Sequence, residues 1–285
     1  MKKKYGRRVK DVTSMMQLDC DLRPTRPESY LFSGHKYDVT ELMKYLEKQK
    51  EKGTHITFFN AFLAALGMTF YNRPRLNYFV KNRHIYEHPK VTFSFVAKVA
   101  FEDSAEEVMI LCDVNPDDNI FSIAEKNSAK IEKIRSNAKN PEKKGANSAM
   151  DALAKLPNFL RVPIVGLFKW TDKIGYLPSF LAEDNVYYSS LLLSNLGSFK
   201  FDAIHHNISE FGICSGIATL GEVREEEVII DGKKQKRKIF ELGATFDERA
   251  ADGFYLIKSL KLLGYILEHP ELLEKPANTK ISVDK

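Results

Sequence analysis

The order of its segments constrains this chain most. From residue 77 onward, strand-like and helix-like stretches interleave without the regular alternation that a doubly wound parallel sheet requires. Residues 77–85, 91–101 and 108–114 are rich in β-branched and aromatic side chains and predict a run of antiparallel strands. Residues 186–193, 211–220, 223–230 and 238–246 predict four more. Helices surround them. One follows Val39, with Thr40 as N-cap and Gly53 as the stop. Thr57 opens a second, TFFNAFLAALGMTFYNRP, which is apolar on nearly every side and predicts a buried helix ending before Pro74. Residues 120–134 place apolar side chains at helical spacing among lysines and glutamates, and residues 250–267 form a last helix stopped by Pro270. With no Pro/Gly/Ser-rich linker and no repeat, residues 1–285 are expected to form one α/β domain: a two-layer sandwich with a mixed sheet flanked by helices.

Composition narrows the setting. Hydrophobic residues make up 44% and charged residues 28%, as in a soluble globular protein. No apolar run approaches the roughly 18 residues of a membrane span, and the basic start MKKKYGRRVK leads into no apolar segment, so a cytoplasmic location is expected. Cys20, Cys112 and Cys214 lack metal or disulfide spacing and read as buried thiols. The net charge of +5 draws on the amino terminus and on KKQKRK at 233–238. That run follows Asp231-Gly232, a hairpin signal, so it reads as a solvated hairpin arm rather than a nucleic-acid surface. Residues 139–148, KNPEKKGANS, read as a mobile loop. The apolar, proline-broken stretch 150–181, with the only tryptophan, Trp170, predicts short helices covering a face or a subunit interface; a membrane contact is the lesser reading.

Chemistry concentrates in FDERAADG, Phe246–Gly253. It resembles the DHRxxDG run of the dihydrolipoyl acyltransferases and the HHxxxDG run of chloramphenicol acetyltransferase. Two further segments match the acyltransferase catalytic domain in order: residues 57–77, ending in Pro74, Leu76 and Asn77, and LLLSNLGSF at 191–199. The resemblance covers roughly residues 35–275 and implies a chloramphenicol acetyltransferase-like fold. It implies coenzyme A or acyl-CoA as substrate, a small-molecule acyl acceptor and a homotrimer whose sites lie between subunits. The lipoyl and subunit-binding segments that usually precede such a domain are not found in these 285 residues.

Acyl transfer needs a base for the acceptor's proton and a donor for the tetrahedral oxyanion. By the resemblance the donor is Ser194, in the turn Ser194-Asn195-Leu196-Gly197; the alternative is a turn serine bonded to backbone. The base position, a histidine in the family, is Glu248 here. A solvated carboxyl near ~4.3 facing a thiol near ~8.5 works against about 5.7 kcal/mol, compared with about 2.7 kcal/mol for an imidazole, and burial could narrow that gap. Asp252 is expected to make a structural salt bridge, Arg249 to serve the same loop, and Gly253 to permit the turn into the helix. Two readings stay open: a coenzyme-A-dependent acyltransferase using Glu248, or a catalytically inactive homologue that binds coenzyme A or serves as a trimeric structural protein.

Elsewhere the signals are weak. Adjacent His205 and His206, and His84 and His88 on a strand and turn, match no metal spacing. No GxGxxG, GxxxxGK or GxSxG motif occurs, which removes the usual dinucleotide, P-loop and hydrolase readings.

Overall fold

The computed structural model describes residues 5–98, 107–137, 152–183 and 185–282. Its centre is a seven-stranded mixed sheet made of β2 (Tyr30–Asp38), β5 (Val91–Lys98), β6 (Glu107–Val114), β7 (Leu191–Asn195), β8 (Gly216–Leu220), β9 (Arg224–Ile230) and β10 (Lys233–Asp247). The order is β2-β10-β8-β7-β5-β6, with β9 also on β10; β7 runs parallel to β5 and β8, and the other pairs are antiparallel. A separate three-stranded sheet joins β1 (Arg7–Arg8), β4 (His84–Glu87) and β3 (Tyr78–Lys81).

Four helices, α2 (Thr40–Glu51), α3 (Phe58–Asn72), α4 (Ile120–Asn137) and α7 (Gly253–Glu268), pack together on the large sheet. The two layers share one core. Phe240, Leu242, Ala244 and Phe246 alternate along β10 into it, where they meet α3 residues such as Phe62 and Leu66. Burial on nearly all sides explains the uniformly apolar α3, capped by Thr57, whose hydroxyl accepts from Asn60 N at 3.2 Å. The other face of β10 carries Gly243, Thr245 and Asp247, and the segment around Ile204 crosses it closely: a Cβ on Gly243 would lie 2.4 Å from Ile204 O.

Several local expectations change. Residues 77–85 are not one strand, because Asn82 and Arg83 both take positive φ (48° and 60°) and turn β3 back into β4. Thr40 is not the N-cap of α2; Val39 is, and the Thr40 hydroxyl instead accepts from Lys238 N at 2.8 Å, stapling the helix to β10. The stop at Gly53 holds, with φ of +87°. Residues 186–188 and 211–215 lie outside β7 and β8: the Ile213 and Cys214 N–H groups both bond Tyr187 O, so side connections rather than a ladder satisfy this stretch. Three elements lie where the sequence pattern predicts none: β1, α1 (Ser14–Leu22) and β2.

The basic run is a hairpin arm. Asp231 and Gly232 have φ of 50° and 74°, and β9 faces β10 with Lys236–Glu225 at 2.9 Å and Lys234–Glu227 at 3.3 Å, so the lysines meet the glutamate run across the ladder. Residues 158–173 form one helix, α5 (Asn158–Lys173), not several short ones; Pro163 removes one helical bond without ending it. A one-turn helix, α6 (Ser179–Ala182), follows. α5 is held at its C-terminal end, where buried Asp172 accepts from Lys81 Nζ (2.6 Å) and Tyr188 OH (2.6 Å), and it leaves Phe159, Val162, Leu167 and Trp170 exposed. The 139–148 loop expected from the sequence lies outside the described residues. All three cysteines are buried free thiols; burial pushes Cys20 and Cys112 up to about 11. No described helix is long and apolar enough to cross a membrane.

Candidate active site

The FDERAADG loop is the end of β10 and its turn into α7. Phe246 points into the core, so Asp247 faces the other side and is wholly buried. A buried carboxylate needs partners. Arg249 grips it with both arms of the guanidinium, Nε to Oδ1 at 2.8 Å and Nη2 to Oδ2 at 2.7 Å, while Arg26 Nε stands 3.9 Å away. Arg249 Nη1 also donates to Arg23 O at 2.7 Å. Backbone bonds fix the loop on both sides: Asp247 N to Ser215 O and Glu248 N to Ser29 O, each 2.9 Å.

Glu248 is thereby aimed outward. Its side chain is 33% exposed, and its Oε2 accepts from Arg23 Nη1 at 2.7 Å. Arg23 also holds Asp19 at 2.9 Å; the bond to Glu248 is the foremost cause holding its guanidinium above the ordinary range. Among the described residues of one chain, Glu248 stays partly exposed and paired with Arg23 rather than enclosed.

Asp252 caps α7, accepting from Tyr255 N at 2.9 Å, and pairs with Arg75 at 2.8 Å. Partial burial pushes its carboxyl up, but the Tyr255 N–H and Arg75 outweigh that and hold it below the usual carboxylate range. The expectation for Gly253 needs correction: its φ is not positive, and a Cβ would meet only Leu31, at 3.7 Å. This chain's own backbone does not require the glycine; the space in front of it is open.

Ser194 is the penultimate residue of β7, half-buried, with Asn195 ending the strand. The turn is tied by Ser198, whose hydroxyl donates to Asn195 O at 2.8 Å; among the described residues no hydrogen bond engages the Ser194 hydroxyl. Gly197 is needed where it stands, because a Cβ there would lie 2.6 Å from Gly221 O.

One chain does not bring the two sequence-derived groups together. Ser194 pairs with Thr219, and Thr219 with Gly243, five residues before Glu248 along β10. At about 3.4 Å per residue and about 4.8 Å per strand, Ser194 and Glu248 are ~20 Å apart, beyond the reach of either side chain.

The family model for the 2-oxoacid dehydrogenases acyltransferase (catalytic domain) matches residues 179–274. A probable dihydrolipoamide acetyltransferase from Listeria monocytogenes 4b F2365 superposes with a TM-score of 0.59 at 17% identity, covering 93% of this chain and 95% of that one. The dihydrolipoamide acetyltransferase of Azotobacter vinelandii gives 0.58 at 15% identity, with 93% of both chains covered, and chloramphenicol acetyltransferase gives 0.54 at 12%, with 93% and 99%. No curated protein matches the chain in sequence. The chain has the acyltransferase fold. Its matched stretch spans β7, β8, the hairpin and the loop into α7, so the acyltransferase resemblance contains both Ser194 and Glu248.

The residues that sequence reasoning missed are the ones that hold this loop. Arg23, Arg26 and Arg75 are distant in sequence and carry no local signal. Asp247 did carry one: Asp247 and Arg249 are two apart at a strand end, where side chains share a face.

Proposed function

We propose that the protein is an acyltransferase that moves an acyl group from a coenzyme A thioester to a small acceptor, and that it works as a homotrimer. The observation that carries this reading is the ~20 Å between Ser194 and Glu248 in one chain, the first near the end of β7 and the second in the turn after β10, so that a neighbour can complete the site. Ser194 of one subunit, with its hydroxyl free, donates to the oxyanion. Glu248 of the next takes the acceptor's proton, after exchanging its bond to Arg23 for one to the acceptor. Support comes from two of the similar structures: one is the cubic core of a pyruvate dehydrogenase complex, and in the Azotobacter acetyltransferase a serine, a histidine and an asparagine were investigated for their role in catalysis.

A second reading, a coenzyme-A-binding or structural trimer without turnover, is favoured by the Arg23–Glu248 ion pair, which already occupies the carboxylate. Acyl transfer from acetyl-coenzyme A to dihydrolipoamide, measured for the native chain, Glu248→Ala and Glu248→His, separates the two. Turnover that disappears in the alanine variant supports the first. A silent native chain and an active histidine variant leave the second.

A further inference from the structure

Behind the loop lies a cavity of about 630 Å³ that the acyl-transfer reading does not use. Six cationic side chains line it, Arg26, Lys81, Arg83, Lys169, Lys173 and Arg249, against two carboxylates, Asp172 and Glu210. Both carboxylates are engaged. Asp172 accepts from Lys81 Nζ, Tyr188 OH and Gly212 N, and Glu210 accepts from Arg26 N. Even when Asp247, behind the wall, is counted against Arg249, positive charge remains in excess.

That excess is placed where an anion could meet it. Lys169 and Lys173 lie one turn apart on α5, and among the described residues neither has an ion-pair partner. Arg83 comes from the β3–β4 turn and reaches Asp21 only at 3.8 Å. Arg26, 2% exposed, adds its charge to the wall; its Nη1 and Nη2 donate to Ser209 O and Gly212 O, and its Nε stands 3.9 Å from Asp247. Trp170 and Phe211 supply an apolar wall beside these cations.

We infer that this cavity binds a small molecule carrying a multivalent phosphate group, with the phosphates among Arg26, Arg83, Lys169 and Lys173 and the remainder against Trp170. Guanidinium forks and paired lysines suit phosphate oxygens, and the volume suits a small molecule. The free phosphates of an effector and those of the acyl carrier share this chemistry.

The test uses inorganic pyrophosphate on the full chain, followed by calorimetry and by the fluorescence of Trp170, the only tryptophan. Saturable binding near one per chain is expected, weakening as salt is raised and falling about tenfold or more in Lys169→Ala/Lys173→Ala. Those lysines are exposed, so the variant's thermal unfolding should match the native chain; Arg83→Ala provides a second variant from another element. Coenzyme A that displaces pyrophosphate identifies the carrier as the source, and coenzyme A that does not identifies a separate phosphate ligand. Absence of saturable pyrophosphate binding at low salt, or binding unchanged in both variants, overturns the inference. Acyl-transfer activity is not a readout, so this site and the proposed function can fail independently.

Discussion

Mixing two inactive variants offers a direct test of a site shared between subunits. Ser194→Ala removes the oxyanion donor and should cost about 10²–10³ in turnover; Glu248→Ala removes the base. Because register puts the two positions ~20 Å apart in one chain, each site would draw its serine and its glutamate from different subunits. When the variants are unfolded together in equal amounts and refolded, a site is intact only if its serine comes from a Glu248→Ala chain and its glutamate from a Ser194→Ala chain. With random assembly that happens in about one site in four, so about a quarter of native activity should return. The assay is acyl transfer from acetyl-coenzyme A, with each variant refolded alone as the control. Activity that stays at the single-variant level after mixing, while the mixed trimers are shown to form, refutes the shared site. So does a native chain that is monomeric while active.

Three further outcomes follow from the loop and its surroundings. Asp247→Asn would leave Arg249 and Arg26 buried against a neutral partner and should cost about 3–5 kcal/mol, read from urea unfolding. His88 is held neutral, since burial pushes it down to about 3. The unfolded chain takes up that proton near pH 6.5, so His88 favours the fold above this pH and its contribution is lost as pH falls from 6.5 towards 3. Between pH 7.5 and 5 the native chain should lose about 2 kcal/mol more than His88→Gln in urea unfolding. Equal losses would contradict the assignment. Gly197→Ala, which must displace the Gly221 carbonyl, should destabilise by about 1–3 kcal/mol, whereas Gly253→Ala should leave stability within ~0.5 kcal/mol and lower turnover only if a ligand or neighbouring subunit enters the open space there.

How much of this was legible beforehand depended on whether the cause was local. The apolar face-to-face continuity of 58–72, the hairpin turn at Asp231-Gly232 and the stop at Gly53 are written in neighbouring residues, and those elements could be read. The strand β2 could not: YLFSGHKYD alternates poorly, because it pairs along its whole length with β10 and exposes much of its outer face. The N-cap falls on Val39 rather than Thr40, whose hydroxyl is used by Lys238, 198 residues away. In the site, residue types at 194 and 248–253 were visible through a family pattern, but the arginines that hold the loop come from elements remote in sequence, and only folding joins them.

That ion cluster joins the catalytic loop to the cavity. Arg26 and Arg249 face the cavity and also neutralise Asp247, the residue immediately before Glu248. An anion bound in the cavity would act on the charge balance of these guanidiniums, and Arg249 also holds the Arg23 carbonyl while Arg23 holds Glu248. An anion there would reach Glu248 by two short routes, one along the backbone and one through Arg23. Any change it makes in how tightly the loop binds an acyl donor must appear, by linkage, as an equal change in the anion's own affinity when the donor is present. A loop built only to close a strand onto a helix would need the Asp247–Arg249 fork alone. Arg26 extends that fork: its Nε stands 3.9 Å from Asp247 while its Nη1 and Nη2 donate to Ser209 O and Gly212 O, so it ties the loop to the 209–212 segment beside the cavity, and a charge arriving there meets both at once.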